Sequence, residues 1–263
     1  MQWLLQDFED NHKLARALDH LGIRYSWHKV IPFVGDLIPE PDLNHASNTV
    51  MFGSYALWKY AARHSMTPGI FRVSPFVQEE AWKAYMLNGA DAVFVQLSDI
   101  PEKLQDNDRL WFIRPIEDNK EIPGGVRSSN EIIALAKRVL TLEKDEIPIG
   151  SLRHDTELML TQPAHILQEW RLWAVEGKII TWSLYKDGAR VIYRHEIDAD
   201  ALEFAQMLVD ANPGYALAYV IDVCRTADGL RMLETNCMNA AGFYEADLVK
   251  LAKAIDGINS DQC

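Results

Sequence analysis

Asp222, Glu234 and Asn236 are the residues of this chain whose types and spacing suit metal chemistry best. They lie in YVIDVCRTADGLRMLETN, residues 219–236, where two apolar runs, 219–224 and 230–236, flank Ala227, Asp228 and Gly229. Apolar runs on either side of a Gly-containing turn predict a β-hairpin, with Gly229 supplying a positive φ. A three-residue loop puts Asp222 directly opposite Glu234, and strand alternation puts Asn236 on the same face as Glu234. Two facing carboxylates repel. A divalent cation between them removes that penalty, and Mg²⁺ favours one or two carboxylates together with substrate phosphates. An exposed acidic hairpin face without a ligand is the other reading the spacing allows. A two- or four-residue loop would send the carboxylates to opposite faces.

Phosphates need fixed cations and backbone N–H groups. Arg114 closes a strand pattern, Lys120 follows in a loop, and Gly124-Gly125 comes directly after it. A Gly-rich loop that carries a Lys can close over phosphates, although an ordinary charged surface loop would look the same. In QEWRLWAVEGKIITWSLYKDG, residues 168–188, Glu169, Arg171 and Trp173 share one face of a strand. Glu169 is a candidate acceptor for sugar hydroxyls, and Arg171 for a bidentate fork onto phosphate or carboxylate. An intrastrand Glu169–Arg171 pair with no further role is equally compatible with these residues. Lys186, at the end of the following strand, is a further cation for the same cavity.

Other chemistries lack their residues. There is no GxxxxGK[ST], no GxGxxG and no GxSxG, which removes the Walker loop, the Rossmann fingerprint and the hydrolase elbow. The eight histidines include no HxH or HxxxH spacing, and Cys224, Cys237 and Cys263 are too few and scattered for a disulfide framework or a Cys-based zinc site. A formal net charge of -12 argues against a general nucleic-acid binder. No apolar run approaches a membrane span, and the polar turn after the first five residues does not resemble a signal peptide. The expectation is a cytoplasmic protein.

The elements that must position these groups fall into two stretches. Residues 1–90 alternate helix and strand: a helix over 11–21 ending at Gly22, strands over 23–31, 48–52 and 70–73, a Pro-rich loop over 32–41, and helices over 55–64 and 77–87. That order predicts a small, largely parallel sheet. Gly53-Ser54 is either an anion seat at a helix start or a tight connection with a Ser cap. Residues 91–263 read as α+β with antiparallel hairpins. Strands are expected over 92–97, 110–113, 157–161, 170–175 and 178–185, with a tight turn at Glu176-Gly177. Helices are expected over 128–142, capped by Ser129 or Asn130, over 199–211 and over about 245–255.

With these residues in view, the second stretch resembles an ATP-grasp domain: Arg, Lys and a Gly-rich loop, then a strand pair carrying Glu and Arg, then Asp and Glu-x-Asn on the last hairpin. The phrases FIRPIEDNKEIPGG, EWRLWAVEGKIITWSLY and YVIDVCRTADGLRMLETNCMNAAGFY resemble a divergent ATP-grasp clade of bacteria and phages. That clade is related to the eukaryotic chaperone that helps assemble translation initiation factor two. The similarity runs from about residue 92 to 255. It implies an α+β ATP-grasp fold, two α+β subdomains around a nucleotide, preceded by a small α/β domain. It also implies ATP and Mg²⁺ as cofactors, with Asp222, Glu234 and Asn236 on the metal and Arg114 and Lys120 on the phosphates. Residues 161–165 become the adenine hinge, with Gln162 near the amino group. Glu169 takes the ribose, and Arg171 and Lys186 face phosphates or the acceptor. The implied activity joins a carboxylate to an amine through an acylphosphate, with Arg114 and Arg171 as catalytic cations and an amino acid, peptide or protein as acceptor. One departure bears on this. Carboxylate–amine ligases of the superfamily carry Arg two residues before the metal Asp, and here that residue is Val220. A nucleotide-binding assembly factor without catalysis is therefore the second expectation, and a metal-dependent hydrolase using the acidic hairpin the third.

Overall fold

A computed structural model describes residues 1–31, 34–54, 56–87, 89, 91–116, 124–143, 145–148 and 151–258. The chain forms two compact units, one of Met1–Phe76 with Ile166–Cys263 and one of Val77–His165.

The first 76 residues build a sheet around β1 (Gln2–Gln6). α1 (Glu9–Leu21) follows and stops at Gly22, whose φ of 68° is the left-handed conformation that closes helices. β1 then pairs in parallel with β2 (Tyr25–Val30). After the short antiparallel β3 (Leu37–Ile38), it also pairs in parallel with β4 (Thr49–Phe52). α2 (Ala56–Arg63) leads to β5 (Pro68–Gly69), parallel to β4, and the order is β3-β2-β1-β4-β5. The expected small, largely parallel sheet is what forms. Its central strand is absent from the sequence expectations, because five residues with three consecutive apolar side chains show neither period clearly. Two other expectations fail. Residues 70–73 are not a strand. In place of a helix over 77–87 there are two 3₁₀ turns, Phe76–Gln78 and Glu80–Trp82, around the buried Trp82. Packing of one large side chain overrides helix propensity there. At the Gly53-Ser54 turn, the Ser54 amide donates to Gln6 Oε1 at 2.8 Å, and a Cβ on Gly53 would lie 2.5 Å from Gln6 Cβ. The turn is thus a tight connection, with a glutamine oxygen on its amide.

The unit of residues 77–165 is a four-stranded antiparallel sheet. β6 (Val93–Gln96), α3 (Ile100–Lys103), β7 (Leu110–Pro115), β8 (Gly125–Ser128), α4 (Ser129–Leu140) and β9 (Glu157–Thr161) give the order β6-β9-β7-β8. α4 buries Ile132, Ile133, Ala136 and Val139 against Val95, Trp111, Ile113, Leu158 and Leu160. Its cap is Ser128, in a reciprocal capping box with Glu131, rather than Ser129 or Asn130. Both of those side chains are engaged elsewhere: the Ser129 hydroxyl accepts from Trp111 Nε1 at 3.0 Å, and Asn130 donates to Asp108.

The last stretch adds β10 (Gln168–Val175), β11 (Lys178–Asp187), β12 (Arg190–Arg194), α5 (Ala199–Ala211), β13 (Ala218–Thr226), β14 (Gly229–Asn236) and α6 (Leu248–Asp256). The strands form one antiparallel sheet in the order β12-β11-β10-β13-β14. Glu176 and Gly177 both take positive φ, 48° and 75°, as a two-residue hairpin turn requires. One core joins this sheet to the first. Trp173, Val175, Ala218 and Val220 pack with Trp3, Leu5, Leu14 and Phe52, and with Leu251 and Ile255 of α6. Asn239, just after β14, fixes the junction: its Nδ2 donates to Met51 O at 2.6 Å and its Oδ1 accepts from the Phe71 amide at 2.8 Å.

His28 on β2 is 3% exposed, between Ser26 Oγ at 2.7 Å and the Pro39 carbonyl at 2.6 Å. Burial pulls its pKa below the ordinary histidine value, against the pull of the Pro39 carbonyl. The native state therefore binds this proton less readily than the unfolded chain. The stability His28 contributes is present above the unfolded-state pKa and is lost as pH falls through the folded one. In urea midpoints measured from pH 8 down to pH 5, the wild-type protein is expected to lose stability relative to His28→Gln. Parallel curves for the two proteins would show that His28 is not the group responsible.

Candidate active site

The candidate site in the larger unit lies where one sheet face passes from apolar to charged. Trp173 and Val220 belong to the core, and two residues further along the same strands stand Arg171 and Asp222. Antiparallel pairing sets Ser183, Arg171, Asp222 and Glu234 side by side across β11, β10, β13 and β14. Directly opposed residues in such pairs lie on one face. Arg171 grips Asp222 in a bidentate fork, Nε to Oδ1 at 2.9 Å and NH2 to Oδ2 at 2.8 Å.

The opposition of Asp222 and Glu234 arises differently from the route the loop length suggests. Gly229 has a positive φ of 104°, as expected, but Thr226 pairs directly with Gly229, so two residues, not three, separate the paired positions. Continued regularly, that register would place Asp222 opposite Leu233. A shift between Asp222 and Val223 skips Leu233 and restores Glu234 as the partner of Asp222. Such a bulge inserts one unpaired residue and re-aims those beyond it.

Glu169 does not pair with Arg171 along the strand. Instead it accepts from Lys186 Nζ at 2.5 Å and from Tyr185 Oη at 2.7 Å. Cross-strand neighbours come closer than residues two apart on one strand, so each charge finds its partner on the next strand. Asn236 donates from Nδ2 to Glu234 Oε1 at 3.1 Å. Three tyrosines that sequence reasoning gave no role complete the surroundings. The Arg171 guanidinium carbon lies 4.9 Å from the ring centre of Tyr244 and 5.7 Å from that of Tyr185. Tyr244 is stacked with both Tyr185 and Tyr193. It also holds φ at 51°, a strained conformation for a bulky residue that the surrounding packing must enforce. The only trace of this in the sequence is Tyr244 closing the GFY of residues 242–244.

Electrostatics follow from burial. Asp222 is fully buried, which pushes its pKa up to about 6, with Glu234 and Glu169 adding to the rise and the Arg171 guanidinium opposing it. Burial alone would lower the pKa of Arg171, but Asp222 more than offsets this and holds the guanidinium charged. Burial, then the Asp222 and Glu169 charges, raises Tyr185 well above the ordinary phenol value. Burial with Glu169 pushes the Cys224 thiol up to about 12, which makes it unsuitable as a nucleophile.

Among the described residues, no three His, Cys, Asp or Glu side chains cluster in metal-holding geometry. Asp222, Glu234 and Asn236 bring two carboxylates and an amide. That donor set fits a hard cation such as Mg²⁺, which keeps water and phosphate oxygens for its other positions. A carboxylate oxygen that accepts from Arg171 retains a second lone pair for such an ion.

Arg114 and Gln162 belong to the other unit. Arg114 lies on β7 in a row with Phe94 and Met159, on the sheet face opposite α4, and Gln162 is exposed immediately after β9. Phe94 and Val126 on that face are exposed. Lys120 lies outside the described residues.

Residues 26–255 match a family model that describes an ATP-grasp domain, the third family of its clade. The chain belongs to this ATP-grasp family. No curated protein matches it. Solved ATP-grasp structures superpose over nearly its whole length. D-cycloserine synthetase DcsG has a TM-score of 0.62 at 13% identity, covering 97% of this chain and 99% of that one. D-alanine–D-alanine ligase from Bacillus anthracis, complexed with ATP, gives 0.55 at 10% over 100% and 94%. The ATP-grasp ligase PsnB, complexed with precursor peptide PsnA2 and AMPPNP, gives 0.52 at 11% over 97% and 95%. At these identities the likeness shows the fold, which is the α+β ATP-grasp fold. No helix among the described residues of this ATP-grasp protein is long and apolar enough to cross a membrane.

Removing one partner of a buried ion pair strands the other charge and costs about 3–5 kcal/mol. Arg171→Ala is expected to destabilise the protein by that order in chemical denaturation, with Arg171→Met/Asp222→Asn recovering much of the loss. A single-variant loss under about 1 kcal/mol, the scale of an exposed pair, would show that the fork does not stabilise the sheet.

Proposed function

We propose that this ATP-grasp protein is an ATP- and Mg²⁺-dependent ligase. In this reading a substrate carboxylate attacks the γ-phosphate of ATP, ADP leaves, and an amine displaces phosphate from the acylphosphate to form an amide-like bond. The acceptor is an amino acid, a peptide or a protein. The observation that carries the proposal is the row of buried Arg171 and Asp222 and half-buried Glu234, with buried Asn236 beside it, at the end of an apolar core. A sheet that buries this much charge needs a use for it, and transfer of a charged phosphoryl group supplies one.

The roles follow residue by residue. Asp222, Glu234 and Asn236 hold Mg²⁺, which would neutralise charge on the phosphates. Glu169, positioned by Tyr185 and Lys186, takes the ribose hydroxyls. Arg171 keeps the Asp222 carboxylate ionised and aimed, and has guanidinium N–H groups beyond the two used in the fork, so it can also stabilise the transferred group. Arg114 and Lys120 supply further positive charge, Gln162 reads the adenine edge, and Lys186 faces phosphate or acceptor. Residues 91–263 form the ATP-grasp domain in this scheme, and residues 1–90 the small α/β domain preceding it. The protein works in the cytoplasm, on neither nucleic acid nor membrane.

A second reading, a nucleotide-binding assembly factor without catalysis, is favoured by one observation. Val220 is fully buried in the apolar core where ligases of the superfamily place an arginine. Glu234→Gln separates binding from its absence: ATP affinity in Mg²⁺ is expected to fall on the order of 10–100-fold by calorimetry, at least the scale seen when groups around a metal are removed. Unchanged affinity would remove the metal site from both readings. Acceptor-dependent release of ADP with pools of amino acids and peptides supports the ligase, and a flat response to every pool supports the assembly factor.

A further inference from the structure

Arg231 on β14 emerges on the same sheet face as Arg171, Asp222 and Glu234, although its place in the chain argues against it. Residues 231 and 234 are three apart, an odd separation that in a regular strand sends side chains to opposite faces. The unpaired Leu233 between them absorbs the odd step: Asp222 pairs with Glu234, Val223 with Met232 and Cys224 with Arg231. Cys224 lies two residues beyond Asp222 on β13, whose register with β10 has no shift, so the two share a face. Arg231, directly opposite Cys224, joins them there.

A second charged row therefore runs beside the first, with Lys186, Glu169, Cys224 and Arg231 side by side across β11, β10, β13 and β14. Arg171 and Lys186, on the same face, are committed to Asp222 and Glu169. Arg231 is half-buried and in no ion pair among the described residues; its NH1 donates to the carbonyl of the adjoining Leu230 at 2.8 Å. Between Glu169 and Arg231 the floor of the row is the Cys224 thiol, which is fully buried. Burial, then Glu169, pushes that thiol up to about 12 against the opposing charge of Arg231. The floor is thus neutral, and the guanidinium is near enough to act on it.

We infer that Arg231 binds the α-phosphate of the nucleotide, the phosphate esterified to the ribose that Glu169 holds. The inference rests on the nucleotide-binding part of the proposed function and adds a residue to which that scheme gives no role. Glu169 and Arg231 sit two strands apart, roughly 10 Å between their backbones, with only the Cys224 thiol beneath the gap. A carboxylate suits hydroxyls and a guanidinium suits phosphate oxygens, so the two ends of this row match the two ends of a nucleoside monophosphate. Asp222 lies two residues along β13, roughly 7 Å on, where the metal would meet the phosphates beyond the first. Glu169 already accepts from Lys186 and Tyr185, which leaves the Arg231 charge for a ligand.

The test titrates the full chain with adenosine monophosphate (AMP) and with adenosine, reading backbone amide shifts by NMR. Wild-type protein is expected to bind AMP on the order of tenfold more tightly than adenosine, equivalent to about 1.4 kcal/mol. Arg231→Gln should lose most of that preference and leave adenosine affinity unchanged. Arg231→Lys, which keeps the charge without the planar fork, should retain part of it. Equal weakening of AMP and adenosine in Arg231→Gln would mark a structural role and overturn the inference. So would a wild-type protein indifferent to the phosphate, or a preference for AMP that survives in Arg231→Gln. Calorimetry of the wild type with ATP and Mg²⁺ separates the two levels. If ATP binds, any of those three results sinks the role of Arg231 alone; if ATP, AMP and adenosine all fail to bind, the nucleotide reading falls with it.

Discussion

The fork between Arg171 and Asp222 is the constraint around which the larger unit is arranged. An ionised carboxylate that is fully buried is tolerated only when paired and hydrogen-bonded, and Asp222 meets both conditions through a guanidinium on the neighbouring strand. The pair fixes how β10 and β13 register, since a slip of one residue would send one charge to the opposite face. It also divides the sheet face. Below it, Trp173 and Val220 close the core against α1 and α6; beyond it Glu169 takes Lys186, and at its β14 edge Glu234 and Asn236 hydrogen-bond each other. The proposed phosphoryl transfer needs charge held in a fixed place, and an apolar floor beneath a buried fork holds it.

The same logic explains why the amino-terminal sheet belongs to the same compact unit as the carboxyl-terminal hairpins. Trp3 and Leu5 from β1 share one core with Trp173, Ala218 and Ile255, and Trp3 Nε1 donates to Asp256 at 2.9 Å. Asn239 ties the segment after β14 to β4 and to the residues just after β5 through buried hydrogen bonds. These long-range links place α1 beside Tyr244, whose carbonyl accepts from Lys13 Nζ at 3.2 Å.

Much of this was legible in the chain. The helices expected over 11–21 and 199–211, the strand over 157–161 and the existence of the last hairpin follow from periodicity and turn residues, which are local properties. Less local features escaped. β1 is too short to display a period, β12 is exposed on both sides and so carries no apolar alternation, and the segment over 77–87 yields its helical pattern to the burial of Trp82.

For the candidate site, the sequence by itself determined which residue types are available: Asp222, Glu234 and Asn236 on one hairpin, Glu169 and Arg171 on one strand, and a valine two residues before Asp222. Tertiary structure alone decided who meets whom. Arg171 takes Asp222 from 51 positions away, while Glu169 turns to Lys186 and Tyr185 on another strand. The facing of Asp222 and Glu234 depends on an unpaired Leu233 that no loop-length argument could supply. The physical reason is that residue type and spacing set the face on which a side chain emerges. The partner it finds there is set by register, and register is settled only when whole strands bury their apolar sides together.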